Sequence, residues 1–475
     1  MLTWEKLLNS SRRKDRAKTN SAKPDADIDA IRTEFERDYD RILFSTPVRR
    51  LGDKTQVFPL EPNDSIRTRL THSHEVSNLA RSIGVNIAFN SNFIPKSLAP
   101  TRNVPALLAA IGLAHDLGNS PFGHQGEESI KSWFETHQRE VFPKKQRGLT
   151  KAMKNDFLHF DGNAQTFRLM SRLQILNDNF GLNLTYAALA ALLKYTVPSD
   201  KIVKKSSNAS AHKHGFFQSE RAIVHEVWRE TGLREGTRHP LTFIMEACDD
   251  MAYSVLDTED AVKKGLVSFS DVVTHLQHSN GGDLATKQVV SKAIEKHDEF
   301  RDCKLSPPEL NDVSMQMFRV YAIARMVEDV TEEFRRQLPR MLDGSYTNEL
   351  VFTSPSAELC KALKKFCLEH AFKHKTVLEK ELRGHNVIWG LMDMLWVAIT
   401  DRKDAADVTA ARKSPFSRYA YGRISESYRR IFESPSTLPI RYREAQLLTD
   451  MLSGMTDTYA MSMYDELRSC YVKKS

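Results

Sequence analysis

His115-Asp116 follows a stretch from Val104 to Ala114 that is almost wholly apolar. An aspartate in such surroundings is rarely buried unless it is paired or bound to a metal. His72 lies in the stretch Thr71-His72-Ser73-His74, one predicted helix earlier, and Asp249 and Asp250 stand inside the otherwise apolar run EACDDMAYSVLD. Two imidazoles and two carboxylates suit a divalent cation with coordination positions left for water. These residues are far apart in the chain, so only folding could assemble them. Taken singly, His72 as a turn cap and Asp249 in an internal salt bridge are equally good readings.

The segment after His115-Asp116 is LGNSPFGHQGEE, whose glycines and proline mark a tightly turned loop. It carries His124 and Glu127, three residues apart, and a carboxylate that orients an imidazole makes an acid/base dyad. A surface loop with one exposed histidine is the plainer reading of that segment alone. Asp249, Tyr253 and Asp257 have i, i+4, i+8 spacing and would share one helix face, polar where its surroundings are apolar. Arg69, Lys194 and Lys213 are the cationic candidates for a phosphate chain. Arg69 sits three residues before His72, Lys194-Tyr195 ends the apolar run YAALAALLKY, and Lys213 precedes GFFQSER. Most lysines and arginines are simply solvated, so each needs context.

The elements that must position these groups are predominantly helical. Apolar residues recur at three- and four-residue spacing from Ile28 onward, and period-2 strand patterns are few. The pattern predicts a helix through IRTRLTHSHEVSNLARSIGVNIA capped by Asn63, Asp64 or Ser65, a buried helix over Val104–Leu117 closed by Gly118, and a helix over Leu241–Leu256. A strand or small β-hairpin is signalled at 54–60, KTQVFPL. Residues 1–27 are expected to form a polar N-terminal arm, 28–265 the core with a basic, Ser-rich insertion at 201–214, and 266–475 a helical C-terminal region packed on that core; 401–415 reads as a second polar loop. No internal repeat is visible.

The 475 residues carry 68 Lys plus Arg against 61 Asp plus Glu, a net charge of +7, with 41% hydrophobic and 27% charged residues. That composition is globular rather than disordered or fibrous. No apolar run approaches the ~20 residues of a membrane span, and the N-terminus lacks the apolar core of a secretory signal. Five scattered cysteines without a CxxC argue against disulfides and a cysteine zinc site, making the cytoplasm the default compartment. The mild positive charge suits anionic substrates or nucleic acid and demands neither.

The spacing of His72, His115-Asp116 and Asp249 resembles the HD-domain metal phosphohydrolases. The wider ordered set is more specific: FSTPVRRLGDKTQVFPLEPNDSIRTRLTHSHEVSNLARSIG, GLAHDLGNSPFGHQGEE, HFDGNAQTFRL, LLKYT, HGFFQSER and EACDDMAYSVLDTEDA. Together these resemble the bacterial deoxyguanosinetriphosphate triphosphohydrolases, over about residues 35–265. The likeness continues more weakly through SPFSRYAYGRISESYRRIFE and TDTYAMSMYDEL. The resemblance implies an all-α fold around an HD core, a homo-oligomer that is often a hexamer, and cleavage of a dNTP, dGTP favoured, to deoxynucleoside and tripolyphosphate. It implies His72, His115, Asp116 and Asp249 as ligands of a divalent metal, Mg²⁺ or Mn²⁺ with Fe or Co as alternatives. It implies His124 and Glu127 as the catalytic histidine and its carboxylate partner. Gln56 and Val57 would pack against the sugar edge, and Arg69, Asn163, Lys194, Tyr195 and Lys213 would line the substrate pocket. Tyr253 would stack under the deoxyribose and Asp257 would bind its 3′-hydroxyl. This chain departs from the pattern at Asn119, where relatives commonly have histidine. Arg418 and Arg423 are candidates for a base pocket. Competing expectations are an HD phosphohydrolase on another nucleotide, distinguished by its products, and a nucleic-acid-binding protein with a vestigial site. Binding of single-stranded DNA as an added property would fall steeply with salt.

Overall fold

The computed structural model describes all residues except 18–30, 62, 91, 145–147, 175–177, 280–282 and 472–475. Helices account for the regular structure, and the described residues form three isolated β-bridges but no strand. The all-α expectation therefore holds, whereas the hairpin at 54–60 does not form. Thr55 makes a single bridge to Thr68, and its backbone N–H donates instead to the Asp457 carboxylate at 3.1 Å. A side-chain acceptor satisfies the donor that a partner strand would have taken.

In chain order, the helices that matter to the site begin with α1 (Glu34–Leu43), α2 (Arg69–Phe89) and α3 (Pro100–Ala114). α2 and α3 pack as an antiparallel pair at close range. A methyl group on Gly112 would lie 2.8 Å from Ser77 Cα, and Ser77 Oγ donates to the Ala109 carbonyl oxygen at 2.8 Å. Small residues at the crossing let the backbones approach, which brings His72 at the start of α2 beside His115 just past the end of α3. The cap of α2 is Thr68 rather than Asn63, Asp64 or Ser65; its backbone N–H donates to Thr71 Oγ1 at 3.1 Å. α3 ends at Ala114, so 115–118 form a turn and not the last turn of a helix.

Next come α4 (Gly123–Thr136), α5 (Gly162–Arg168) and the long α6 (Pro240–Lys263), which carries Asp249. α7 (Phe269–Ser279), α8 (Pro307–Asp343) and α9 (Ala357–Cys367) follow; α6 packs on α2 and α3 and also on α8 and α9, and α7 packs on α9. The C-terminal region supplies α10 (Lys375–Thr400), α11 (Ile440–Ser453) and α12 (Asp457–Cys470), with α10 laid along α4. Gly384 of α10 faces Phe122, where a methyl group would lie 2.7 Å from the ring.

The N-terminal arm is docked over its described part. Trp4, Leu7 and Leu8 are buried, and Arg12 is 3% exposed. Arg12 pairs with Glu34 at 2.5 Å and Asp38 at 2.6 Å. Asp38 is fully buried, and a buried carboxylate needs a counter-charge, so a polar segment is drawn inward. Residues 18–27 of that arm lie outside the described residues.

A buried polar network ties the C-terminal helices to the core. Arg168 at the end of α5 pairs with Glu220 and with Asp450 of α11, both at 2.7 Å. Nearby, Asp156 accepts from Ser199 Oγ at 2.6 Å, Tyr442 Oη at 2.6 Å and the Gln218 backbone N–H at 2.7 Å. Burial nevertheless pushes the Asp156 carboxyl up to about 7. The folded chain then holds a proton that the unfolded chain releases near ~3.9, so the associated stability is complete below that pH and is lost as pH rises towards 7. Asp156→Asn should therefore flatten the decline of the urea midpoint between pH 4 and 7 relative to wild type. Parallel midpoint-against-pH curves for the two proteins would refute the assignment.

Candidate metal centre

One ligand atom each from His72, His115 and Asp249 lies within 4.8 Å of the others. His72 Nε2 is 3.3 Å from Asp249 Oδ1, and His115 Nε2 is 3.4 Å from the same oxygen. His115 Nδ1–H donates to the Gly112 carbonyl oxygen at 2.7 Å, which leaves the Nε2 lone pair directed at the carboxylate. His115 Nε2 is buried and has no hydrogen-bond partner of its own. Two imidazole nitrogens converging on one carboxylate oxygen are satisfied together by a cation, and this donor set fits a divalent metal. Without one, burial lowers the proton affinity of His115, but the charges of Asp116 and Asp249 outweigh it and raise its pKa to about 9.

Asp116 lies beside the cluster rather than in it. Its Oδ1 is 3.6 Å from His115 Nε2, while Arg69 Nη1 forms an ion pair with Oδ2 and Asn119 Nδ2 donates to Oδ1 at 2.7 Å. Burial raises the Asp116 pKa, but Arg69 and His115 bring it below the usual carboxylate range. Asn119 thus holds a carboxylate of the expected ligand set. A histidine at that position would present a larger ring and a titratable nitrogen.

Cations surround the centre. Lys194 Nζ is 3.3 Å from Asp249 Oδ2 and 3.8 Å from Glu246, which Arg238 also holds at 2.6 Å. Burial lowers the affinity of Lys194 for its proton, but Tyr195, Asp249 and Glu246 raise its pKa well above the ordinary value. Lys213 reaches Asp161 at 2.7 Å and lies 5.9 Å from the centre of the Tyr195 ring. The 201–214 insertion is irregular, as read from sequence, yet Ala209, Ser210 and His214 are buried and anchor the end that delivers Lys213. Asp161, whose Oδ1 also accepts from Asn163 Nδ2 at 2.7 Å, places both expected pocket residues. Gly162 sits where a methyl group would meet Asn119 Oδ1 at 1.9 Å and Glu127 Oε1 at 2.7 Å.

The loop carrying His124 is held from the C-terminal side. Phe122 adopts left-handed backbone geometry (φ 61°), and its N–H donates to Asp457 Oδ1 at 2.9 Å, at the start of α12. Such a conformation costs a bulky residue of order 1–3 kcal/mol and persists only where the surroundings fix it. Gly123 follows with φ 60°, close to Arg69 Nη2 and the Gln56 backbone oxygen. His124 is exposed, and its ring makes no hydrogen bond to the described residues. Glu127 is buried and accepts from the Gly162 N–H at 2.9 Å. The expected His124–Glu127 hydrogen bond is not formed: Glu127 takes its donor from Gly162, and the His124 side chain is exposed. Burial, then the Asp161 charge, raise the Glu127 pKa, with His124 acting against them.

Tyr253 and Asp257 follow Asp249 along α6. Asp257 is fully buried, and neither of its oxygens has a hydrogen-bond partner. Burial and the charge of Asp260 raise its pKa well above the usual range. Tyr253 lies under Lys364, 5.5 Å from its ring centre, and Lys364 in turn pairs with Asp250 at 2.6 Å. Val57 packs against the buried cluster that includes Phe58 and Ile66, and Gln56 Oε1 is buried without a partner. Arg423 pairs with Glu466 at 2.8 Å and Arg418 is exposed; no hydrogen bond or ion pair among the described residues joins either to the site. Asp161, Asp457 and Lys364 were not expected from sequence. Asp457 lies inside the quoted motif TDTYAMSMYDEL, the only signal that pointed to it.

An all-α body with a His/His/Asp centre between α2, the turn after α3, and α6 defines an HD-domain protein. The HD domain family model matches residues 69–149, which contain His72, His115 and Asp116, and an HD domain implies divalent-metal binding. The chain is 33% identical to a deoxyguanosinetriphosphate triphosphohydrolase-like protein of Listeria monocytogenes, covering 98% of this chain and 99% of that one. It is 34% identical to the deoxyguanosinetriphosphate triphosphohydrolase of Serratia proteamaculans over 93% of this chain and 94% of that protein. It is 33% identical to that of Yersinia pseudotuberculosis over 95% and 96%. The chain belongs to the deoxyguanosinetriphosphate triphosphohydrolase family. No helix among the described residues is long and apolar enough to cross a membrane.

Proposed function

We propose that this protein is a metal-dependent dNTP triphosphohydrolase that converts dGTP and water to deoxyguanosine and tripolyphosphate. The observation that carries the reading is the convergence of His72, His115 and Asp249 with Lys194 and Arg69 on the two aspartates. His72, His115, Asp249 and, by rotating off Arg69, Asp116 would hold Mg²⁺ or Mn²⁺. When bound, the ion supplies Lewis acidity at phosphate oxygen and lowers the pKa of water. Arg69, Lys194 and Lys213 neutralise charge that spreads over the phosphates as the bond to the 5′-oxygen breaks. Substrate phosphate would take over the partners that Asp116, Asp249 and Asp161 now occupy. Water adds to the α-phosphorus and gives up a proton to solvent, the bond to the 5′-oxygen breaks, and His124 donates a proton to that oxygen and is reprotonated from solvent. Its exposed ring can turn towards substrate, which an inward hydrogen bond to Glu127 would prevent. Asp257, a buried acceptor with no protein donor, suits the 3′-hydroxyl. Gln56, Val57 and Tyr253 close the sugar edge, where a 2′-hydroxyl would meet unpaired or clashing groups. A homo-oligomer, with a hexamer as the expected form, belongs to this reading.

Product analysis tests it. Each dNTP, and GTP, is incubated with Mg²⁺ or Mn²⁺ and the products are resolved by anion exchange and phosphorus NMR. Deoxyguanosine with intact tripolyphosphate is expected. Orthophosphate or pyrophosphate instead would assign another phosphohydrolase reaction. His124→Ala should keep the bound metal and lose about 10²–10⁴-fold in kcat, the usual contribution of a general acid; unchanged kcat would remove His124 from the mechanism.

A further inference from the structure

A second group of metal-type ligands lies away from the HD centre. His275, Glu369 and His370 each place one ligand atom within 4.8 Å of the others. His275 comes from α7, whereas Glu369 and His370 come from a single π-helical turn, Leu368–Phe372, that continues α9. Single π turns recur at functional sites because they redirect side chains that an α-helix would spread along its face. His275 Nε2 is 3.2 Å from the Ala362 carbonyl oxygen, so this nitrogen carries the proton and Nδ1 keeps its lone pair. Phe366 packs against both rings, 5.2 Å from His275 and 4.9 Å from His370, and the two imidazoles lie 6.2 Å apart, centre to centre. Glu369 has a long, exposed contact of 4.0 Å to Lys365, which a cation would readily displace.

We propose that His275, Glu369 and His370 form a second metal site for a first-row transition ion of the Zn²⁺ class. Two imidazoles and one carboxylate are the ligand chemistry of Zn²⁺, Co²⁺ or Ni²⁺, whereas Mg²⁺ and Ca²⁺ prefer oxygen donors. The half-exposed setting leaves positions for water. The site shares no ligand with the HD centre. It ties α7 to the π turn whose Phe372 lies 6.0 Å from Tyr253, so occupancy would brace the turn that backs that tyrosine.

Isothermal titration of the full-length chain with Zn²⁺, alongside the same titration of His370→Ala, Glu369→Gln and His115→Ala, decides the matter. Wild type is expected to take one equivalent more than His370→Ala. Glu369→Gln should bind that equivalent about tenfold or more weakly, with removal of the charged ligand. His115→Ala, altered only at the HD centre, should keep it. The same stoichiometry and affinity in wild type, His370→Ala and Glu369→Gln would overturn the assignment, whatever the HD centre does. Circular dichroism must match wild type in the surface variants, so that a lost equivalent reports the site itself.

Discussion

Asp249→Ala should lower dGTP turnover by roughly 10³-fold or more, because Lewis-acid stabilisation of several kcal/mol is removed and about 1.4 kcal/mol is a factor of ten in rate. Asp249 is the oxygen on which both imidazoles converge and the partner of Lys194. Its loss takes away the carboxylate of the His72–His115–Asp249 cluster and leaves the nitrogens of His72, His115 and Lys194 facing one another. The variant should retain its helical circular dichroism, since Lys194 keeps Glu246 at 3.8 Å and the α2–α3 pairing does not involve Asp249. Mn²⁺ content after dialysis should fall with the activity. A variant that turns over within tenfold of wild type, or keeps its full metal complement, would contradict the assignment of Asp249 as a ligand. Asp249→Asn separates charge from shape: it preserves volume, and the same loss there assigns the effect to the carboxylate.

Gly118→Ala should be strongly destabilising, by about 3 kcal/mol or more, the upper end for overpacking against atoms that cannot move. The added carbon would lie 2.1 Å from the Thr166 backbone nitrogen and 2.4 Å from the Gly162 carbonyl oxygen. Both are backbone atoms of α5, and Gly118 N–H donates to Thr166 Oγ1 at 2.9 Å across the same contact. Relief requires α5 to move away from the turn that carries His115 and Asp116, so turnover should fall together with stability. Urea denaturation with an unchanged slope and a lowered midpoint would show it. A midpoint equal to wild type would mean that α5 does not press on this turn.

The reason for that glycine shows how far local reading reached. Sequence reading takes Gly118 as a helix-closing residue, the usual use of glycine beyond a C-terminus. In the structure the helix has already ended at Ala114, and Gly118 does not adopt positive φ. It is glycine because a second helix touches it. Chain periodicity predicts that a helix exists near Val104, but the atoms 48 positions away that forbid a side chain at 118 are invisible to it. The bridged segment at Thr55 differs from expectation for the same reason: a tertiary partner, Asp457, competes with the local signal.

The dyad is a sharper example. Three-residue spacing on a helix allows His124 and Glu127 to meet. In the structure Glu127 is buried and takes a backbone donor from Gly162, whereas His124 is exposed. Likewise the basic 201–214 stretch reads as a solvated loop by composition, whereas Asp161, from another segment, captures Lys213 at 2.7 Å.

By itself the sequence determined the all-helical class and the family and singled out His72, His115, Asp116 and Asp249 as candidate metal ligands, because helix period and ordered motifs are local properties of the chain. The tertiary structure alone decided that His72, His115 and Asp249 share one point while Asp116 is held aside by Arg69 and Asn119. It also decided that Asp457 of the last helix clamps the His124 loop. Those outcomes depend on which buried charge finds which partner across hundreds of residues, and burial makes an unmatched charge so costly that the folded packing, not the local pattern, chooses the pairing.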